Sequence, residues 1–148
     1  MSFWRERDLA ALSADEWESL CDGCGRCCLH KLDDGDSVAF TCVSCRLLDI
    51  STVRCRSYAD RAEKVRACVV LTPDNLPGMA AALPGTCAYR LLHEGADLPT
   101  WHPLVSGSPT SVREAGVSVS ELAVPETRVP RGVSFSCYVT SLYTPKSE

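Results

Sequence analysis

The segment Cys21-Asp22-Gly23-Cys24-Gly25-Arg26-Cys27-Cys28 constrains this chain more than any other. Each C-x2-C step lets two sulfurs converge on one ion, and the glycines permit the tight turns between them. Cysteines that merely fill an apolar core need no such spacing. Cys27 and Cys28 are neighbours whose Cα atoms stand about 3.8 Å apart, short of the roughly 4.4–6.8 Å usual across a disulfide. Adjacent side chains also diverge in most backbone conformations, so both sulfurs do not meet one ion in a simple mononuclear site. The loop predicts either two metal sites that share it or one polynuclear centre.

Six further cysteines follow, Cys42, Cys45, Cys55, Cys68, Cys87 and Cys137, making ten in 148 residues. The opening residues Phe3-Trp4-Arg5-Glu6-Arg7-Asp8 mix charges where an export signal would need an apolar run, so a cytoplasmic location is expected. The longest uncharged run, Asn75 to Tyr89, is broken by Pro77, Gly78, Pro84 and Gly85 and falls short of the about 20 apolar residues that cross a bilayer. No membrane association is expected. In a reducing compartment abundant cysteines read as metal ligands or redox groups before they read as disulfides. Zinc and iron, including an iron–sulfur cluster, both suit such a thiolate set, and spacing leaves the choice open.

Elements with regular patterning are few, because nine prolines and nine glycines interrupt the chain. Ser13-Ala14-Asp15-Glu16 fits a capping box and predicts a short helix through Trp17 and Leu20 into Cys21. From Asp22 to Cys55 the reading is irregular, with Asp33-Asp34-Gly35-Asp36 as a polar turn and Val38-Ala39-Phe40 as a short strand. A helix is predicted over Tyr58–Val69, with Tyr58, Ala62 and Val65 on its apolar side, and Thr72-Pro73 reads as a cap followed by the first residue of another. A second clear helix covers Cys87–Glu94 and ends at Gly95, while Val117-Ser118-Val119-Ser120 alternates as a strand does. The fold class expected is α+β: a small, irregular single domain with short helices, organised around a cysteine metal cluster. Residues 1–125 form the metal-binding domain, and residues 126–148 form a C-terminal tail without strong pattern, open to partial disorder.

Several separated motifs carry a family resemblance. The Cys21–Cys28 loop, the later Cys45, Cys55, Cys68 and Cys87, the string Cys87-Ala88-Tyr89-Arg90-Leu91-Leu92, and Leu98-Pro99-Thr100-Trp101-His102-Pro103-Leu104 together resemble the CxxCxxCC cysteine-cluster proteins, the bacterial YcgN and YkgJ-like group. The resemblance spans roughly Trp4 to Val124. It implies a zinc- or iron-chelating domain with Cys21, Cys24, Cys27, Cys28, Cys45, Cys55, Cys68 and Cys87 as ligands. Cys42 and Cys137 depart from the pattern. Among the histidines, His30 is the best substitute ligand by its nearness to the loop; His93 reads as an exposed helix residue and His102 as a packed one.

The function expected is metal binding without catalysis, through zinc or an iron–sulfur centre. The alternative is an iron–sulfur protein that passes electrons or senses oxidants. No nucleophile–base pair or open catalytic metal position is legible, so no enzyme activity is assigned. Metal ions are the expected partners, with a protein partner as a further expectation. Five basic residues between Arg54 and Arg66 are the only support for nucleic acid, and a net charge of -4 opposes it.

Overall fold

In a computed structural model, which describes residues 2–33, 35, 37–65 and 68–145, short helices come first: α1 (Phe3–Glu6) and α2 (Ala14–Ser19). The capping box is formed as the sequence predicts. Ser13 Oγ accepts from the Glu16 amide at 3.1 Å, and Glu16 Oε1 accepts from the Ser13 amide at 2.9 Å. The helix buries Trp17, and the following Leu20 is 0% exposed, placing the chain rigidly at the threshold of Cys21.

After the cysteine loop the chain forms a hairpin where an irregular stretch is expected. Strands β1 (Leu29–Asp33) and β2 (Ser37–Ser44) pair antiparallel, with Lys31 opposite Phe40 and Asp33 opposite Val38. A register shift between Leu29 and Lys31 breaks the alternation, which is why the segment lacks a clean two-residue period. Asp34 and Asp36 of the expected polar turn lie outside the described residues; Gly35 takes a φ of 94° there and its amide donates to Asp33 Oδ1 at 2.9 Å. A two-stranded ladder follows, with β3 (Leu48–Asp49) antiparallel to β4 (Arg54–Cys55) and Leu48 opposite Cys55.

The helix expected over Tyr58–Val69 is much shorter. A 3-10 turn at Tyr58–Asp60 leads into α3 (Arg61–Lys64), and Val65 is already extended at φ -130°. Tyr58 and Ala62 are exposed and Val65 is only half-buried, so the intended apolar face finds little to pack on, and a short helix without packing is marginal. Arg66 and Ala67 lie outside the described residues. Next, α4 (Leu76–Met79) starts at Leu76 rather than at Pro73, because Thr72 and Asn75 bond each other's amides through their side chains and make a turn. Helix α5 (Ala88–His93) stands where it is expected, with Cys87 at its N-cap. It ends in a Schellman motif: Gly95 at φ 84° donates to Leu92 O at 3.1 Å, and Ala96 donates to Leu91 O at 2.8 Å.

Helices α6 (Pro103–Ser106) and α7 (Ser111–Glu114) precede the segment expected as a strand at 117–120. That segment is not a strand: Val119 is 0% exposed and its amide donates to Cys24 O at 2.9 Å, a single bond without a ladder. Residues beyond 123 then rejoin the sheet. Strand β5 (Val124–Pro125) runs parallel to β2, and β6 (Val139–Pro145) runs antiparallel to it, with Thr41 opposite Val139. The architecture is therefore a small α+β domain with two main apolar cores. One joins Trp4, Trp17, Leu20, Leu76 and Tyr89 among the helices; the other joins Leu29, Phe40, Leu48, Val53 and Val119 beneath the sheet.

Candidate metal centre

The Cys21–Cys28 loop lies where these two cores meet. Gly23 and Gly25 hold left-handed φ values of 73° and 79°, which side chains with a Cβ rarely adopt. Space matters as much as backbone. A Cβ on Gly25 would stand 2.6 Å from Val53 Cγ1 and 2.7 Å from Val119 Cγ2, and one on Gly23 would touch the Arg54 guanidinium at 3.0 Å. Val53 is itself at φ 55°, uncommon for a β-branched residue, and it reaches this position because Asp49 O accepts its amide at 2.7 Å across the β3–β4 turn. The loop is thus moulded to its neighbours, and it closes in a 3-10 turn at Arg26–Cys28.

Four of the cysteines receive backbone amides from residues two or three positions on. Arg26 donates to Cys24 Sγ and Leu47 to Cys45 Sγ, both at 3.5 Å; the Gly23 amide serves Cys21, and the Tyr89 and Arg90 amides serve Cys87. Amide bonds of this kind stabilise a sulfur that carries negative charge. Yet burial works against that charge. Desolvation, followed by the Cys27 charge, pushes the Cys21 thiol up to about 12, and desolvation pushes Cys87 up to about 11. Cys24 is raised by desolvation and then by Asp22. Cys27 goes the other way, to about 7, chiefly because the Cys28 thiol donates to it, and the same bond raises Cys28.

Each thiol responds to others far away in sequence. Cys21 is perturbed by Cys27 and Cys87, Cys28 by Cys45 and Cys55, and Cys68 by Cys27, Cys45 and Cys55. These mutual influences link thiols from distant parts of the chain, yet among the described residues no three His, Cys, Asp or Glu side chains form a group that could hold a metal ion. Among the described residues Cys42 sits within β2 and Cys137 in an exposed turn at Phe135–Tyr138, and neither is among the charges that chiefly perturb the cluster thiols. His30 is engaged elsewhere. Its Nε2 bonds Glu126 Oε2, and its ring lies 5.0 Å from that of Phe135. His93 is exposed at the end of α5.

Two further residues lie beside the cysteine loop, Asp22, which patterning does not single out, and His102, which is packed as the sequence predicts. Asp22 Oδ1 accepts from the Cys24 amide at 3.0 Å, while its Oδ2 is buried without a hydrogen-bond partner. Asp22 also raises Cys21, Cys24 and Cys87 by its charge. An orphaned carboxylate oxygen beside several desolvated sulfurs leaves buried charge without a compensating partner. His102 is 0% exposed; Leu104 donates to its Nδ1 at 3.0 Å, which leaves Nε2 to donate to Leu20 O at 2.7 Å, one residue before Cys21.

Fold and site together define a small α+β protein with cysteines gathered from half the chain at the junction of two cores. The chain belongs to the UPF0260 family. It is 58% identical over 128 residues to a UPF0260 protein of Gluconacetobacter diazotrophicus, covering 85% of this chain and 79% of that one. A UPF0260 protein of Klebsiella pneumoniae is 53% identical over 129 residues, 86% of each chain, and one of Azotobacter vinelandii is 54% identical over 131 residues, 84% of this chain and 87% of that one. No family model matches the sequence, and no solved structure matches the fold. The family name specifies no ligand or reaction. Among the described residues no helix is long and apolar enough to cross a membrane.

Proposed function

We propose that this protein binds zinc or an iron–sulfur centre through Cys21, Cys24, Cys27, Cys28, Cys45, Cys55, Cys68 and Cys87, with no catalytic role of its own. The observation that carries the reading is the set of backbone amides directed at Cys21, Cys24 and Cys87, which favour thiolates where burial alone favours thiols. A cation resolves that opposition, because metal-bound sulfur is deprotonated. The resemblance to the CxxCxxCC cysteine-cluster proteins supports the same ligand set. Bound zinc would supply rigidity, and bound iron–sulfur would add one-electron chemistry.

A second reading, an iron–sulfur redox or sensor protein, is favoured by the exposure of Cys27 at the rim of the cysteine loop. Solvent access tunes cluster potential and admits oxidants or electron partners. Anaerobic purification followed by elemental analysis and a visible spectrum tests both. Stoichiometric zinc in a colourless protein supports the first reading, iron with sulfide and a visible band supports the second, and folded protein without either metal sinks both.

A further inference from the structure

Positive charge gathers beside the cysteine loop in a chain that is acidic elsewhere. Residues 45–66 hold six of the 15 lysines and arginines but three of the 19 aspartates and glutamates, so the remainder carries nine basic residues against 16 acidic ones. Two of the three acids in this stretch are already engaged. Asp49 Oδ1 accepts from the Ser51 amide at 3.0 Å and from the Ser51 hydroxyl at 2.7 Å, and Asp60 pairs with Lys64 at 3.6 Å. Among the described residues Arg46, Arg54, Arg56 and Arg61 have no carboxylate at ion-pair distance.

These cations are tethered to the backbone around them. Arg46 Nη2 donates to Lys64 O at 2.6 Å and Arg56 Nη1 to Arg46 O at 3.5 Å, so α3 and the β3–β4 ladder present their charges together. Arg54 and Arg56, two apart where the Arg56 amide continues the ladder to Leu47 O, share one side of it. The Arg54 guanidinium lies against Gly23 of the cysteine loop, 3.0 Å from where a Cβ there would stand. An apolar margin completes the face. Arg61 Cζ lies 3.8 Å from the centroid of the Tyr58 ring, and Tyr58, 50% exposed, donates through its hydroxyl to Glu18. The exposed Val69 and Val70 lead into Leu71, whose carbonyl accepts from Trp17 Nε1 at 3.1 Å, one residue before Glu18.

We propose that this face is a docking surface for an acidic segment of another protein, which sets carboxylates on Arg46, Arg54 and Arg56 and an apolar side chain on Tyr58. Planar guanidinium forks match carboxylates through paired hydrogen bonds, and forks already tethered to carbonyls lose less freedom on binding. Arginine and tyrosine are also among the residue types that carry most of the energy at protein interfaces. The charge distribution selects the partner's length. A long polyanion such as DNA runs past the patch onto the acidic remainder and is repelled there, whereas a short acidic segment stays within it. The docked segment borders the cysteine loop through Arg54, and the proposal is independent of what the cysteines bind.

The test uses the full chain, purified anaerobically, and two short peptides of equal negative charge, one of glutamate alone and one of glutamate interspersed with leucine, with duplex DNA as a third probe. The mixed peptide should bind most tightly, and its affinity should fall as salt rises. Arg54→Glu/Arg56→Glu should weaken it about tenfold or more, and Tyr58→Ala should remove its advantage over polyglutamate. Arg128→Glu/Arg131→Glu, between β5 and β6, should leave binding unchanged. A photo-crosslinking form of the mixed peptide decides the matter on the wild-type chain if the double variant fails to fold, with crosslinks expected within residues 46–71. Absence of binding at low salt overturns the proposal, as do tighter binding to DNA, an undiminished leucine advantage in Tyr58→Ala, equal loss in Arg128→Glu/Arg131→Glu, or crosslinks confined to other parts of the chain.

Discussion

Gly25 shows how tightly the cysteine loop is specified by single atoms. Gly25→Ala meets two penalties, a left-handed backbone costing about 1–2 kcal/mol and a forced contact with Val53 and Val119 costing about 1–3 kcal/mol. Urea unfolding should show a loss of about 2–5 kcal/mol together with reduced metal content. Gly132→Ala, with a φ of 86° but nothing within 4 Å of the added Cβ, should show only the backbone part. The cysteines divide in the same residue-by-residue way. Cys28→Ser should lower metal per folded chain, while Cys42→Ser and Cys137→Ser should leave it unchanged; equal loss in Cys42→Ser would move that residue among the ligands. The cysteine spacing made the loop legible in the sequence. His102 was legible as a packed residue, but Asp22 was not, because the role of a carboxylate depends on what is buried around it, and the atoms it faces are set by long-range packing.

At the scale of elements, local chemistry was readable and partnership was not. The Ser13–Glu16 box and the Gly95 cap are each complete within a few residues, so α2 and the end of α5 stand where the sequence places them. Val38-Ala39-Phe40 was read as a strand and lies in β2, but β1 and the reach of β2 to Ser44 were missed because the register shift removes the two-residue period, and the helix over Tyr58–Val69 was overextended because an apolar face needs an opposing surface. Helix α1 depends on such a distant partner: Asp97 accepts from Trp4 Nε1 at 3.0 Å and from Arg5 Nε at 2.8 Å. Arg5, the Leu98 amide and Trp4 together hold the Asp97 carboxyl down at about 2, below its ordinary 3.8. A depressed carboxyl stabilises the fold while ionised, so this anchor is fully present above about pH 4 and is lost as pH falls through about 2. The Trp4 indole N–H resonance should follow that titration, and Asp97→Asn should abolish it; an unchanged pH dependence in the variant would remove Asp97 from the anchor.

For the whole molecule, the cysteines are spread over segments from Cys21 to Cys87 across two modest cores, and residues 124–145 close over β2 to complete the sheet. The α+β class was legible from short, interrupted elements, but the return of the terminal segment was not, since strand pairing across about a hundred residues leaves no local pattern. If a metal joins these segments, removing it releases several loops at once and stability should fall with it. Thermal unfolding before and after verified chelation should show a large drop in midpoint and lost circular dichroism; an unchanged transition would make the centre an accessory to a fold that stands without it. The most direct test is X-ray absorption at the metal edge of protein isolated anaerobically from its own host. The account predicts a first shell dominated by sulfur at about 2.3 Å. A shell of oxygen and nitrogen alone, or no bound zinc or iron at all, would contradict it.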